Sequence, residues 1–380
     1  MGIGLHGANA QDHAEKTVSR RPTFIFISIV LLSFFSALVS SYTTSWTHTE
    51  MASHVGQSLT FYYHNCGDYV AHHNLGISEA TLLRSKYLTT DVRSAQVTLT
   101  TLGCFRVNSD AQSSFFDILK LAYYHASSTW VLDYRDIPTS SILPLGANGY
   151  VRRIASNCRP SELFRPGIDV CSMLGEGLGF KKQACSRRSY TSPPHKYKAT
   201  FKGTVYLKAH THGFHRWELL SLHDSERGVI IAATCDHSSN KKALDGDKSL
   251  RQKCDDSKKI FDAMDYCDLL QEATFAVIPG GRSPATYRFM EALATGTVPI
   301  LFDEEKDRNI QMPFEGLIDW QPCTGDIEVD VGAVASLIQK ISINDTIKRQ
   351  EACANIWENF LADEDKRLDL LLNYVARRGR

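Results

Sequence analysis

The chain has 380 residues, with 42 basic and 42 acidic side chains and no formal net charge. That balance removes the usual basis for expecting nucleic acid as a partner, because such binding is driven by basic surface. The length allows two ordinary domains or one large one, and an apolar content of 43% suffices for a packed core.

The first element in the chain is an apolar run. Arg20 and Arg21 precede an uncharged stretch over 24–42. As a helix it would measure roughly 28 Å at ~1.5 Å per residue, close to a bilayer's hydrocarbon thickness. The basic flank makes residues 1–23 a cytosolic tail and sends the body to the lumen, as in a single-pass type II protein. A cleaved signal peptide is the rival reading, since "SALVSS" offers small residues for a cut. The long lead before the run favours a signal anchor. Residues 43–58 then form a polar stem. Either reading places the body in an oxidising compartment. Ten scattered cysteines with no CxxC pair therefore predict a few disulfides, with some thiols left buried, and no structural metal. Asn344-Asp345-Thr346 is the candidate glycosylation sequon.

The predicted elements of the body fall into two parts. Over 59–196, "AQVTLTTL" (95–102) reads as a strand, "SSFFDILKLAYYHA" (113–126) as a helix and "TWVLDY" (129–134) as another strand. Residues 137–196 are loop-rich, with an interdomain connection near "RSYTSPPHKY". Over 197–380 the pattern is more regular. "YKATFKGTVYL" is a strand, "FHRWELLSLH" a helix, "GVIIAAT" a strand, "KKIFDAMDYCDLLQEA" one helix and "FAVIP" a strand. A helix over 286–295 stopped by Gly296, the strand "VPILF" and a long helical pattern over 346–375 complete it. Alternation at this spacing implies a parallel, doubly wound sheet: an α/β, Rossmann-like domain behind a less regular α/β domain.

The loop "PGGRSPATYRFMEA" follows one of these strands and opens a helix, where such units bind ligands. A helix N-terminus offers free N–H groups and partial positive charge, and Gly280 and Gly281 let the backbone come close. Thr286 can donate a hydroxyl, while Arg282 and Arg288 can clamp an anion. Glu291, a carboxylate one turn on, suits sugar hydroxyls such as those of a ribose better than phosphate. A purely structural reading makes the loop a tight turn and Arg288–Glu291 a surface ion pair. No Walker lysine and no GxGxxG spacing is present, which disfavours a nucleotide triphosphatase or a dinucleotide dehydrogenase. The clustered His210, His212 and His215, and the "DGD" at 245–247, read as loop residues and a solvated turn, not as metal ligands.

In this order, "FKGTVY", Arg216 in "RWELLSLHD", "AATCDH", the segment from "KCDDSKKIFDAMDYCDLLQEA" through "TVPILFDEE", and "PFEGLIDW" resemble the exostosin glycosyltransferase domain. Upstream, "LLRSKYLTTDVRSAQVTL" and "FRPGIDV" resemble the same family's first half. The resemblance implies a GT-B fold, two Rossmann-like domains facing a cleft, with an acceptor-side domain at 59–196 and a nucleotide-sugar domain at 197–380. It implies an inverting hexosyltransferase that uses a UDP-sugar, with no tightly bound cofactor and no required metal. The family's animal members build heparan sulfate in the Golgi and endoplasmic reticulum, often as pairs of exostosins. Carried onto this chain, the donor site comprises Gly203, Arg216, Gly281, Arg282, Ser283, Thr286, Arg288 and Glu291, and Cys235 and Cys254 form a disulfide. Arginines and helix-terminal N–H groups would then stabilise the diphosphate leaving group.

Two departures stand out. The family's Lys-Arg after "FKG" is Thr204-Val205 here, and its second loop arginine is Ser283. An inverting transfer wants a general base, for which Asp133 and Asp136 are candidates by chemistry only. Two expectations follow. One is transfer of glucuronic acid from its UDP form onto a growing heparan sulfate chain. The alternative is an inactive subunit that stabilises a catalytic exostosin.

Overall fold

The computed structural model describes residues 59–65, 76–101, 128–133, 151–155, 170–171, 185, 195–206, 216–280, 286–302 and 311–379. The anchor expected over 24–42, the stem, the helix expected over 113–126 and the three histidines of 210–215 lie outside them. Among the described residues no helix is long and apolar enough to cross a membrane.

The strands form two sheets, both parallel throughout. The first contains β1 (Phe61–His64), β2 (Val97–Thr101), β3 (Ser128–Asp133), β4 (Val151–Ala155) and β5 (Val170–Cys171), hydrogen-bonded in that order. Beside it runs α1 (Glu79–Arg84), whose N-cap Ser78 accepts from the Thr81 N–H. The second sheet contains β6 (Tyr197–Thr204), β7 (Val229–Thr234), β8 (Ala273–Pro279) and β9 (Val298–Phe302), in the order β7-β6-β8-β9. Every residue of β7 and β9 is buried, as continuous apolar runs in a two-sided parallel sheet require. The chain steps from β6 to β7 on one side and returns to β8 on the other, so the strand order reverses between β6 and β8. Ligands of open α/β sheets bind outside the carboxyl ends at such a point.

The helices correct the sequence reading in three places. The segment expected as one helix over 258–273 is two: α2 (Lys241–Gly246) precedes α3 (Lys248–Ala263), and α4 (Tyr266–Gln271) follows a break. Met264 ends α3, and the Asp265 side chain accepts from the Asp268 N–H at 3.1 Å, capping a new helix start. The segment at Arg216–Leu222, expected as an α-helix, is a 3₁₀ helix. After α5 (Tyr287–Thr295), α6 (Gln321–Thr324) and α7 (Val331–Lys340), the long C-terminal pattern divides. It gives α8 (Ile343–Ile356), a π-helical turn at Trp357–Leu361 and α9 (Glu364–Gly379). Helix α5 behaves as expected, since Gly296 ends it at φ 82°, a left-handed cap that glycine adopts freely.

One apolar core runs through both sheets, from Phe61, Leu99 and Trp130 to Phe201, Phe275, Phe289 and Ile300. The C-terminal helix α9 returns to the first sheet. Glu364 Oε2 accepts from the Ser78 N–H at 2.9 Å, the Ser78 hydroxyl at 2.6 Å and the Thr81 hydroxyl at 2.5 Å. Arg367 donates to the Gly76 carbonyl at 3.0 Å. Disulfides join Cys185 to Cys267, Cys235 to Cys254 and Cys323 to Cys353. Among the described residues no cysteine is a free thiol, and Cys66, Cys104 and Cys158 lie outside them.

Candidate anion site at the strand reversal

The site is built from the ends of β6 and β8 and the start of α5. Arg288 lies in the first turn of α5 and reaches across to β6. Its Nη2 donates to the Lys202 carbonyl at 2.5 Å, and its guanidinium lies 4.7 Å from the centre of the Phe201 ring. Gly203 makes this seat possible: a Cβ there would stand 2.4 Å from Arg288 Nη2. Gly203, expected as a donor-binding residue, therefore acts in this geometry as the space into which Arg288 fits.

Arg216 opens the 3₁₀ helix after β6 and donates from Nη2 to the Gly280 carbonyl at 3.2 Å. Its guanidinium lies 5.5 Å from the centre of the Tyr206 ring, which meets His237 edge-on at 4.9 Å between centres. Burial, and then repulsion from Arg288, pulls the Arg216 pKa down to about 10. Two guanidiniums close enough to repel each other, each donating to a main-chain carbonyl and Arg288 also bonded to the Tyr266 hydroxyl, form a focus of positive charge. The inner Nε of Arg216, the inner Nε of Arg288 and the Thr286 hydroxyl are buried without a hydrogen-bond partner among the described residues. Buried polar atoms are normally paired, so three orphans at one strand reversal point to a ligand that supplies acceptors. Thr286 is the N-cap of α5 but makes no side-chain cap bond, which leaves its hydroxyl available.

Glu291 is 6% exposed and accepts from the Tyr266 hydroxyl. A surface ion pair between Arg288 and Glu291 is thus not the arrangement, because the carboxylate is buried against α4. Burial, and then the nearby carboxylate, holds the Tyr266 hydroxyl well above the usual tyrosine range, with Arg288 pulling the other way.

The remaining expected residues are distributed as follows. Gly281, Arg282, Ser283 and Asp136 lie outside the described residues. Asp133 ends β3 opposite Ala155. Val205 is fully buried, its N–H bonded to the Thr234 carbonyl at 2.9 Å and its carbonyl to Asn240 Nδ2 at 2.8 Å. The side chain at 205 faces the core, at a position where the family resemblance expects a cation. Cys235 and Cys254 form a disulfide with Cα atoms 5.8 Å apart, tying the end of β7 to α3. Asn344 is exposed in the first turn of α8, while Thr346 of the same sequon is buried and donates to the Ser342 carbonyl at 2.9 Å. In the "DGD" segment, Asp245 pairs with Arg251 at 2.7 Å and Asp247 caps α3. No group of three metal-ligating side chains lies together among the described residues.

Sequence reasoning passed over Tyr266, Tyr206 and the Lys202 and Gly280 carbonyls. Main-chain acceptors leave no trace in a sequence. Tyr266 has one: the Asp-Tyr pair inside a helical pattern, where the aspartate marks a new helix start.

Comparison with known proteins bears on the same region. Residues 181–329 match the exostosin GT47 domain. Exostosin-1a of Danio rerio is 28% identical over 217 residues, covering 54% of this chain and 27% of that protein. Exostosin-1 of Drosophila melanogaster is 29% identical over 175 residues, covering 45% of this chain and 21% of that protein. The chain thus spans about a quarter of the length of these curated relatives. Among solved structures, a chain of the GtfA/B complex aligns over 68% of this chain and 61% of its own length, at 13% identity. Its TM-score of 0.35 is too low to define the fold.

Proposed function

We propose that this chain, whose residues 181–329 match the exostosin GT47 domain, is an inverting, UDP-sugar-dependent glycosyltransferase acting in heparan sulfate synthesis. The observation that carries this reading is the positively charged cluster of Arg216, Arg288 and Thr286, with its unpaired buried polar atoms, where the strand order reverses. It suits the diphosphate of a nucleotide sugar. In the proposed reaction an acceptor hydroxyl attacks the anomeric carbon from the face opposite the diphosphate. The bond to the diphosphate oxygen breaks, UDP departs with the electron pair, and a base takes the hydroxyl proton. Arg216, Arg288 and the first N–H groups of α5 receive the negative charge that develops on the leaving oxygen. Asp133 and Asp136 remain the candidates for the base.

The donor sugar is proposed to be glucuronic acid and the acceptor a glucosamine-ended heparan precursor. Under this reading the first sheet belongs to an acceptor-side domain (59–196) and the second to a donor domain (197–380) in a GT-B arrangement. The body lies in the Golgi or endoplasmic reticulum lumen behind the anchor at 24–42. The absence of free thiols among the described cysteines supports an oxidising compartment. A second exostosin is the proposed partner.

Sugar transfer by the full-length protein, with and without a co-expressed exostosin, tests the proposal. Transfer from UDP-glucuronic acid that disappears with Arg288→Ala supports it. The second reading, an inactive subunit that stabilises a catalytic partner, draws on the apolar, buried Val205. A complex that forms but transfers no more than the partner alone would favour it.

A further inference from the structure

Tyr266 stands where several independent constraints meet. It is the first residue of α4, directly after the capping Asp265. Just upstream, the Lys202 ammonium donates to the Met264 carbonyl and lies 4.5 Å from the centre of the Phe261 ring. Just downstream, Cys267 is tied to Cys185. Lys202 thus contributes twice, holding the α3–α4 break with its side chain and Arg288 with its carbonyl. The break, its cap and the disulfide fix the backbone on both sides of Tyr266. The hydroxyl then donates to Glu291 Oε2, one turn along α5 from Arg288.

We propose that Tyr266 is a positioning residue of the donor site: its hydroxyl holds the Glu291 carboxylate off Arg288, so the guanidinium keeps its charge and aim for the diphosphate. This rests on the donor-site reading above. Arg288 and Glu291 are spaced i,i+3 on one helix, and such pairs close onto each other when nothing intervenes. A closed pair would cancel the cation that the diphosphate needs. An O–H donor on the carboxylate engages it without adding positive charge. Burial keeps the proton on the phenol, with Glu291 reinforcing that and Arg288 opposing it. Tyr206 and Gly203 do the corresponding work for the two guanidiniums, one as a ring beside Arg216 and the other as space for Arg288.

The test is calorimetric titration of UDP into the full-length protein and its Arg288→Ala and Tyr266→Phe variants, with thermal midpoints measured without ligand. Tyr266→Phe is expected to weaken UDP about tenfold, whatever its effect on the midpoint. A lowered midpoint with unchanged UDP affinity would make Tyr266 purely structural and overturn the proposal, while leaving the donor site standing if Arg288→Ala abolishes binding. Absence of UDP binding by the unmodified protein would overturn the donor-site reading and the proposal with it. Should Tyr266→Phe fail to fold, 3-fluorotyrosine at position 266 keeps ring and hydroxyl. Its fluorine resonance is expected to move on UDP saturation, and a resonance that stays put refutes the positioning role.

Discussion

Gly203→Ala separates fold from ligand binding at the proposed donor site. The backbone at 203 is ordinary strand, so alanine meets no conformational obstacle, and relief of glycine's excess entropy should favour the variant by roughly 0.5–1 kcal/mol. The cost is local. The new Cβ would lie 2.4 Å from Arg288 Nη2 and 3.3 Å from both Arg288 Cζ and Phe201 Cζ. The crowded atom is the end of a flexible side chain, so the guanidinium swings away and its bond to the Lys202 carbonyl is lost. A hydrogen bond from a charged donor contributes about 1.5–3 kcal/mol. Net destabilisation is therefore about 0.5–2.5 kcal/mol, a loss of a few degrees in melting temperature. The same displacement removes a charge-assisted contact from the diphosphate. At about 1.5–3 kcal/mol, that weakens UDP by roughly 10- to 150-fold. Titration calorimetry for affinity and scanning calorimetry for stability read the two effects separately. A Gly203→Ala protein that binds UDP as tightly as the parent would refute the assignment of Arg288 to the diphosphate.

Three further outcomes follow from the same geometry. Arg216→Met should weaken UDP while moving the melting temperature at pH 7 little. The folded-state pKa near 10 lies below the ordinary 12.5, so burying the charged form costs stability at every pH below about 10 and is relieved only as pH rises beyond it. The shift corresponds to at most about 3 kcal/mol, reduced by the partial exposure of the side chain to ~1–2 kcal/mol, and loss of the charged bond to the Gly280 carbonyl, about 1.5–3 kcal/mol, offsets it; a fall of ten degrees or more in melting temperature would contradict this. Cys254→Ser opens a disulfide spanning a sequence separation of 19 and should cost about 3 kcal/mol by the chain-entropy relation, read as a lower urea midpoint. Glu364→Gln keeps the shape but removes the charge that three donors share, and about 2 kcal/mol of destabilisation is expected by urea titration, with UDP affinity unchanged.

The second sheet was legible because its strands are buried on both faces and spell themselves as apolar runs, as "GVIIAAT" and "VPILF" do. Gly296 was legible as a helix stop because only its missing Cβ makes φ 82° easy. The break at Met264 and Asp265 was not. Helical periodicity continues across it with only Asp265 as a local mark, and the Lys202 ammonium that donates to the Met264 carbonyl there comes from a strand some sixty residues earlier. The site divided in the same way. Arg288 and Thr286 announced themselves by standing at a helix start after glycines. The role of Gly203 rests on a contact with a residue 85 positions away, invisible until the chain is folded. Glu291 fitted the pattern of a surface ion pair, and only the packing of α4 shows that its partner is a phenol.

The return of α9 to the first sheet has a consequence for how this protein is made. The residues that cap α1, Ser78 and Thr81, meet Glu364 at sequence separations of 286 and 283. At roughly 5–20 residues per second, the ribosome needs on the order of 15–60 s to deliver that glutamate after Thr81 has emerged. During that interval α1, β2 and β3 exist without the helix that later packs against them. Maturation of the first sheet thus awaits the last part of the chain. The N-terminal half is the part of the nascent protein that waits longest for its final packing.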